Sequence, residues 1–386
     1  MTSGESPTPA ESEGVARAWG WVHHLRAGGA VPWSQWRDPA PPSEQAGRYL
    51  PGAQQLELLR RLNVAARPSA ELTERVLAAS APGRGLPDLA LVGALPSSRF
   101  GPPPVDPSGL APDELVRVAT ALLAEDVVAA GDPDQPRRVK LLRRRYRMLG
   151  DPELARPIRE ALTADGRPPG GSSPTVVVLG SSLDRMLAHV WTARSFGAGV
   201  RPWGDFLAAE VRRRSLSPRV DLAAVAETWA GLVGSARVHV VIDDPRLAAR
   251  LAGRRRAVPY AAELSADAVE LARRTAPVVG TLVTPERRSL LMWHRFRPTL
   301  AANPGPPLLV PRRHRAWLTE RTEDLRRRLS AGGYAVHGDL PGPSRRPGVT
   351  APDEEGVLAL AMRVLLGPPI GAPVASDLAD LAGEGT

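Results

Sequence analysis

The chain has 386 residues, 43% of them hydrophobic, with 50 basic against 41 acidic side chains and no cysteine. That is enough apolar sequence for one large domain or two ordinary ones, and the lack of cysteine excludes a disulfide framework, a thiolate metal site and a cysteine nucleophile. The net charge of +9 is almost wholly arginine, since Lys140 is the only lysine; with 36 Gly and 41 Pro it reads as compositional bias rather than a nucleic-acid-binding surface.

Residues 1–14 are polar and acidic, without the basic start and apolar stretch of a signal peptide, and are expected to form a disordered tail. Val15–Arg26 carries Trp19, Val22 and Leu25 at helical spacing and ends at Gly28-Gly29. After a Pro-rich linker, Leu56, Leu59 and Leu62 share one face of a second helix, and Ser69 caps a third running through Ala79. A short strand is predicted at Leu89–Val92 and a further helix from Asp113 to about Ala129. The Pro- and Gly-containing stretch from Gly131 to Pro136 is the best domain boundary.

Beyond it, short apolar runs alternate with helical stretches. Strands are predicted at Tyr146–Leu149, Thr175–Leu179, Arg237–Ile242, Val278–Val283, Leu308–Val310 and Tyr334–Val336. The runs TVVVLG and RVHVVI are continuously apolar, as strands covered on both faces are. The expected fold is therefore α/β: an open, mostly parallel sheet with helices on both faces, preceded by a mainly helical N-terminal region. The expected division is a tail (1–14), a helical Trp-containing region (15–130), an α/β domain (137–345) and a Pro/Gly-rich C-terminal tail with one helix (346–386). No apolar run approaches the ~20 residues that span a bilayer; the longest, Val357–Leu366, is interrupted by Arg363. A soluble, cytoplasmic protein is expected.

The chain also echoes itself. Trp21, Gly29, Pro32 and Trp33 match Trp191, Gly199, Pro202 and Trp203 at a constant offset, with Trp36 against Phe206. Leu56–Arg61 and Val269–Arg274 form a weaker second pair. Part of the N-terminal half thus reads as a diverged repeat, its tryptophans serving as core anchors.

The segment VVVLGSSLDRMLAHVW (Val176–Trp191) resembles the strand–loop–helix of the sulfotransferase family, where Arg-Asp-Pro follows the strand, then a second arginine and a serine. Thr228–Val241 and Leu325–Leu340 are similar to further helix-to-strand units of actinobacterial sulfotransferase-like proteins, so the resemblance spans roughly residues 140–342. It implies a P-loop-like three-layer domain and, if active, transfer from 3′-phosphoadenylyl sulfate to a carbohydrate or cell-surface glycopolymer. Arg185, Arg194, Gly180, Ser181 and Ser182 would then surround the donor phosphate, with His189 or Asp243 as the base. The sequence departs from the family pattern in several places. Gly180 replaces the first arginine, Ser181-Ser182 the Asp-Pro, and Ala188 the serine. The turn after the first strand offers Asp151 and Glu153 where a basic residue and a hydroxyl are expected. The alternative is a catalytically inactive sulfotransferase-like domain acting as a structural or regulatory interaction protein, bound to a protein partner through its Trp-rich region.

Read from the residues alone, Asp243-Asp244 could hold Mg²⁺ or supply a base, or simply make a turn before Pro245. His23-His24, His294 and His314 lack metal-ligand spacing, so no metal site is expected. The basic run Arg137–Arg147 suits either a polyanion or a solvated edge before the first strand.

Overall fold

The computed structural model describes residues 9–40, 49–80, 88–94, 101–133, 145–197, 199–213, 215–256, 258 and 262–372. The basic run up to residue 144 and the expected tail as far as residue 8 lie outside them. The chain divides into two compact units, each built from non-consecutive segments.

The first unit comprises residues 1–131, 274–300 and 353–386. It contains α1 (Pro9–Arg26), α2 (Ala53–Ala65), α3 (Ala70–Ala78), α4 (Pro112–Ala129) and a C-terminal helix at Glu354–Leu366 packed along α4. The apolar spacing of α2 buries Leu56, Leu58, Leu59 and Leu62, while Ser69 caps α3 by accepting from the Leu72 N–H at 3.1 Å. α1 begins at Pro9, inside the segment expected to be tail; proline at the first helical position followed by Glu11 suits a helix start. The strand expected at Leu89–Val92 shrinks to a single bridge between Leu91 and Val105.

The second unit, residues 132–273 and 301–352, is the α/β part. Its four strands, β1 (Tyr146–Gly150), β2 (Thr175–Gly180), β3 (Val238–Ile242) and β4 (Ala335–His337), form one wholly parallel sheet in the order β1-β2-β3-β4. The apolar run of β2 is buried from Val176 onward because both sheet faces are covered. At ~1.5–3 kcal/mol for each large apolar side chain, Val176–Leu179 alone contribute roughly 6–12 kcal/mol. On one face, Tyr146, Met148, Val177, Leu179 and Val241 pack against α5 (Pro152–Ala164) and α9 (Pro245–Leu251). The opposite face carries α8 (Leu222–Val233), whose Leu222 fills the space beside Gly180, and α13 (Arg315–Ala331) packs on α8. Chain leaving β1 thus goes to the α5 face, while β3 is reached from the α8 face.

Two expected strands are absent. Val278–Val283 belongs to α10 (Ala266–Leu282); burial of Leu271, Ala272, Thr275, Ala276 and Val279 follows the helical period, which a short apolar run cannot reveal by itself. Leu308 makes only an isolated bridge to Val349, since the flanking Pro306, Pro307 and Pro311 lack the N–H groups a ladder needs. Conversely, Asp244-Pro245 starts α9: Asp244 accepts from the Leu247 N–H at 2.8 Å, and Pro245 occupies the first helical position.

Candidate functional site

At the carboxyl end of β1, Gly150 has φ +87°, and a Cβ there would collide with the Leu179 carbonyl. That tight exit places Asp151, fully buried, at the start of α5. Its Oδ1 accepts from the N–H groups of Glu153 (3.0 Å) and Leu154 (3.4 Å), and Ser181 Oγ donates to its Oδ2 at 3.0 Å. His189, on α6 (Leu183–Ser195), sets Nδ1 2.8 Å from both carboxylate oxygens. One carboxylate therefore serves as helix cap, serine acceptor and histidine counter-ion together.

The other His189 nitrogen, Nε2, lies 3.8 Å from Glu263 Oε1, an ionic rather than a hydrogen-bonding distance. Glu263 is clasped by both terminal nitrogens of Arg346. Beside it, the Ser344 N–H donates to Asp184 Oδ2 at 3.1 Å, fastening the segment after β4 over the first turn of α6. The result is a chain of alternating charge, Asp151–His189–Glu263–Arg346. Burial opposes the charge on His189, but Asp151 and Glu263 outweigh it and raise the imidazole to about 9. Burial likewise opposes ionisation of Glu263, yet His189 and Arg346 hold its carboxyl down to about 2. Both nitrogens thus face carboxylates, which favour the imidazolium over the neutral ring that a general base uses.

Asp243 keeps an accessible carboxylate. It is the one described non-glycine residue with positive φ (+50°), its N–H donating to the Gly180 carbonyl at 2.9 Å, and its Oδ1 lies 3.5 Å from Arg185 Nη1. Burial raises its carboxyl above the usual value; Arg185 opposes that rise and Asp151 adds to it. Asp244 is committed to capping α9, so the two aspartates do not form a paired site. No group of three or more His, Asp or Glu among the described residues could hold a metal ion.

The expected donor-binding residues do not converge. Gly180 is a packing glycine against Leu222 and Ile242, Ser181 is bonded to Asp151, and Ser182 precedes α6 without a side-chain cap bond. Arg194 follows Arg185 by nine positions on α6, half a turn out of phase and ~13 Å along the axis. Arg185 faces Asp243, whereas Arg194 lines a separate cavity at the far end of the helix. Glu263 and Arg346 were not legible as site residues, because each comes from a connecting segment and no motif marks either.

Comparison of the chain with protein-family models, with curated proteins and with solved structures finds no match in any of the three.

Proposed function

We propose that the α/β unit is a sulfotransferase-like domain that has lost donor binding and acts as a structural or regulatory interaction protein. The observation that carries this reading is Asp151: its own carboxylate occupies the N–H groups at the start of α5 that an incoming phosphate would need. A second anion there would meet a fully buried negative charge, and Arg346, the nearest strong cation of the chain of charges, is already spent on Glu263. Three charge-assisted bonds missing from the family pattern, at ~1.5–3 kcal/mol each, remove roughly 4–9 kcal/mol, about three to six decades of donor affinity.

Titration of the full chain with adenosine 3′,5′-bisphosphate, followed by calorimetry, tests this. The expected result, from folded protein, is no saturable nucleotide binding that depends on Arg185. Micromolar binding that weakens in Arg185→Ala would overturn it and restore a divergent sulfotransferase acting on a carbohydrate or glycopolymer. That second reading rests on Asp243, whose strained backbone and accessible carboxylate beside Arg185 suit an active residue.

A further inference from the structure

The cavity lined by Arg194 lies at the elbow between α6 and α7 (Trp203–Arg212) and measures about 530 Å³, within the size range of small-molecule sites. Four arginines line it. Arg194 comes from the last turn of α6, Arg201 from the turn before α7, Arg213 from the residue after α7, and Arg219 from the approach to α8. Glu210 is the single carboxylate in the lining, so three positive charges are in excess.

One buried atom there lacks a partner. Glu210 is 2% exposed; one of its oxygens lies 3.3 Å from Arg213 Nη1, while Oε2 is buried with no hydrogen-bond partner among the described residues. Arg194 is half-buried and donates no hydrogen bond among them, its guanidinium carbon standing 5.5 Å from the centre of the Phe206 ring. A guanidinium carries five donors, which a bound anion can take up. Burial depresses Arg194 below the usual arginine value; Glu210 counters this, and Arg219 and Arg213 add to it. The mutual repulsion of these cations falls when an anion enters.

We propose that the α6–α7 elbow binds a phosphate ester that also carries hydroxyl groups, with the phosphate held by Arg194, Arg201 and Arg219 and a hydroxyl donating to Glu210 Oε2. The excess of three positive charges suits a phosphate dianion better than a single carboxylate. The buried acceptor-only Oε2 asks for a donor, which a sugar hydroxyl supplies while the phosphate stays fully ionised on the arginines. This site is independent of the donor-binding question, because Arg194 lines a separate cavity at the far end of α6 from Ser182 and Arg185.

Calorimetry on the full chain with ribose 5-phosphate, inorganic phosphate, ribose and gluconate tests the assignment. Ribose 5-phosphate should bind saturably and more tightly than the other three. Arg194→Gln should weaken it at least tenfold, and Glu210→Gln should narrow its advantage over inorganic phosphate. Arg201→Gln, at an exposed position, serves if either buried-site variant fails to fold, and should also weaken binding. Arg250→Ala, in the exposed arginine-lined cleft beside α9, should change nothing. Absence of saturable heat from folded wild-type protein, unchanged affinity in Arg194→Gln, loss of binding in Arg250→Ala, or equally tight binding of gluconate would each overturn the proposal.

Discussion

Asp151 and His189 show how a residue chosen for chemistry by its type is put to structural use by its neighbours. Histidine early in a helix at a sheet's carboxyl edge suggests a base; bracketed by Asp151 and Glu263, its charged form is favoured instead. The sign of the pH dependence follows. His189, raised from 6.5 to about 9, contributes stability fully below its ordinary value and loses it as pH rises through 9. Glu263, lowered from 4.5 to about 2, contributes above its ordinary value and loses it as pH falls through 2. Stability should therefore plateau between about pH 5 and 7 and decline on both sides. Asp151→Asn keeps a capping oxygen but removes the counter-ion, so it should cost about 3 kcal/mol at neutral pH. It should also flatten the alkaline decline, because His189 would then already be neutral. Urea unfolding of both proteins at pH 7 and pH 9 reads this directly; parallel profiles would mean that the pair carries no such coupling.

Elements show the same division between what periodicity reveals and what contacts decide. The echo between Trp21–Trp33 and Trp191–Trp203 is legible because Trp, Gly, Pro and Trp recur at one offset in four positions, and the two segments share a local geometry. Trp21 Nε1 donates to the Val31 carbonyl at 2.8 Å, and Trp191 Nε1 to the Arg201 carbonyl at 3.0 Å, each ten residues on. The ring centroids are 5.4 Å apart in one pair and 5.6 Å in the other. The weaker echo also has matching bonds: buried Glu57 is held by Arg60 and buried Glu270 by Arg273, three residues on in each case. All four strands of the sheet were visible as apolar runs, whereas Val278–Val283 misled because a buried helix and a buried strand have the same composition over six residues. Glu263 and Arg346 could not be read at all; their partnership spans 83 positions and depends on how β4 and α6 are brought together. The Trp segments make a paired prediction. Trp21→Phe and Trp191→Phe each lose one hydrogen bond and should cost about 1 kcal/mol. The alanine variants should cost roughly 3–5 kcal/mol. If tryptophan here were a ligand platform instead, the phenylalanine variants would leave stability unchanged, which thermal or urea unfolding distinguishes.

For the molecule as a whole, the consequential feature is that each compact unit is assembled from separated stretches of chain. The helix at Glu354–Leu366, α14 in chain order, reads in sequence as the single helix of a tail. In the structure it packs along α4 in the unit that also holds α1–α3. Its first turn is tied down by Asp353, which accepts from the Gly356 N–H at 2.9 Å, and by ion pairs of Glu355 with Arg61 and Glu354 with Arg274. Such exposed pairs contribute little, ~0–1 kcal/mol each. The apolar face decides the matter. Val357, Leu358, Leu360, Val364 and Leu365 are all buried, and at ~1.5–3 kcal/mol each they contribute roughly 8–15 kcal/mol. That is comparable to the whole stability of an ordinary domain, about 5–15 kcal/mol. A chain cut after Pro352 should therefore lose the helical signal of the first unit and its cooperative melting, and a fragment ending at Gly131 should not fold alone. Circular dichroism through a thermal ramp, run on the truncated and full-length chains, measures this. A truncated protein that melts as sharply and as late as the full chain would show that α14 is an appendage rather than part of that unit's core.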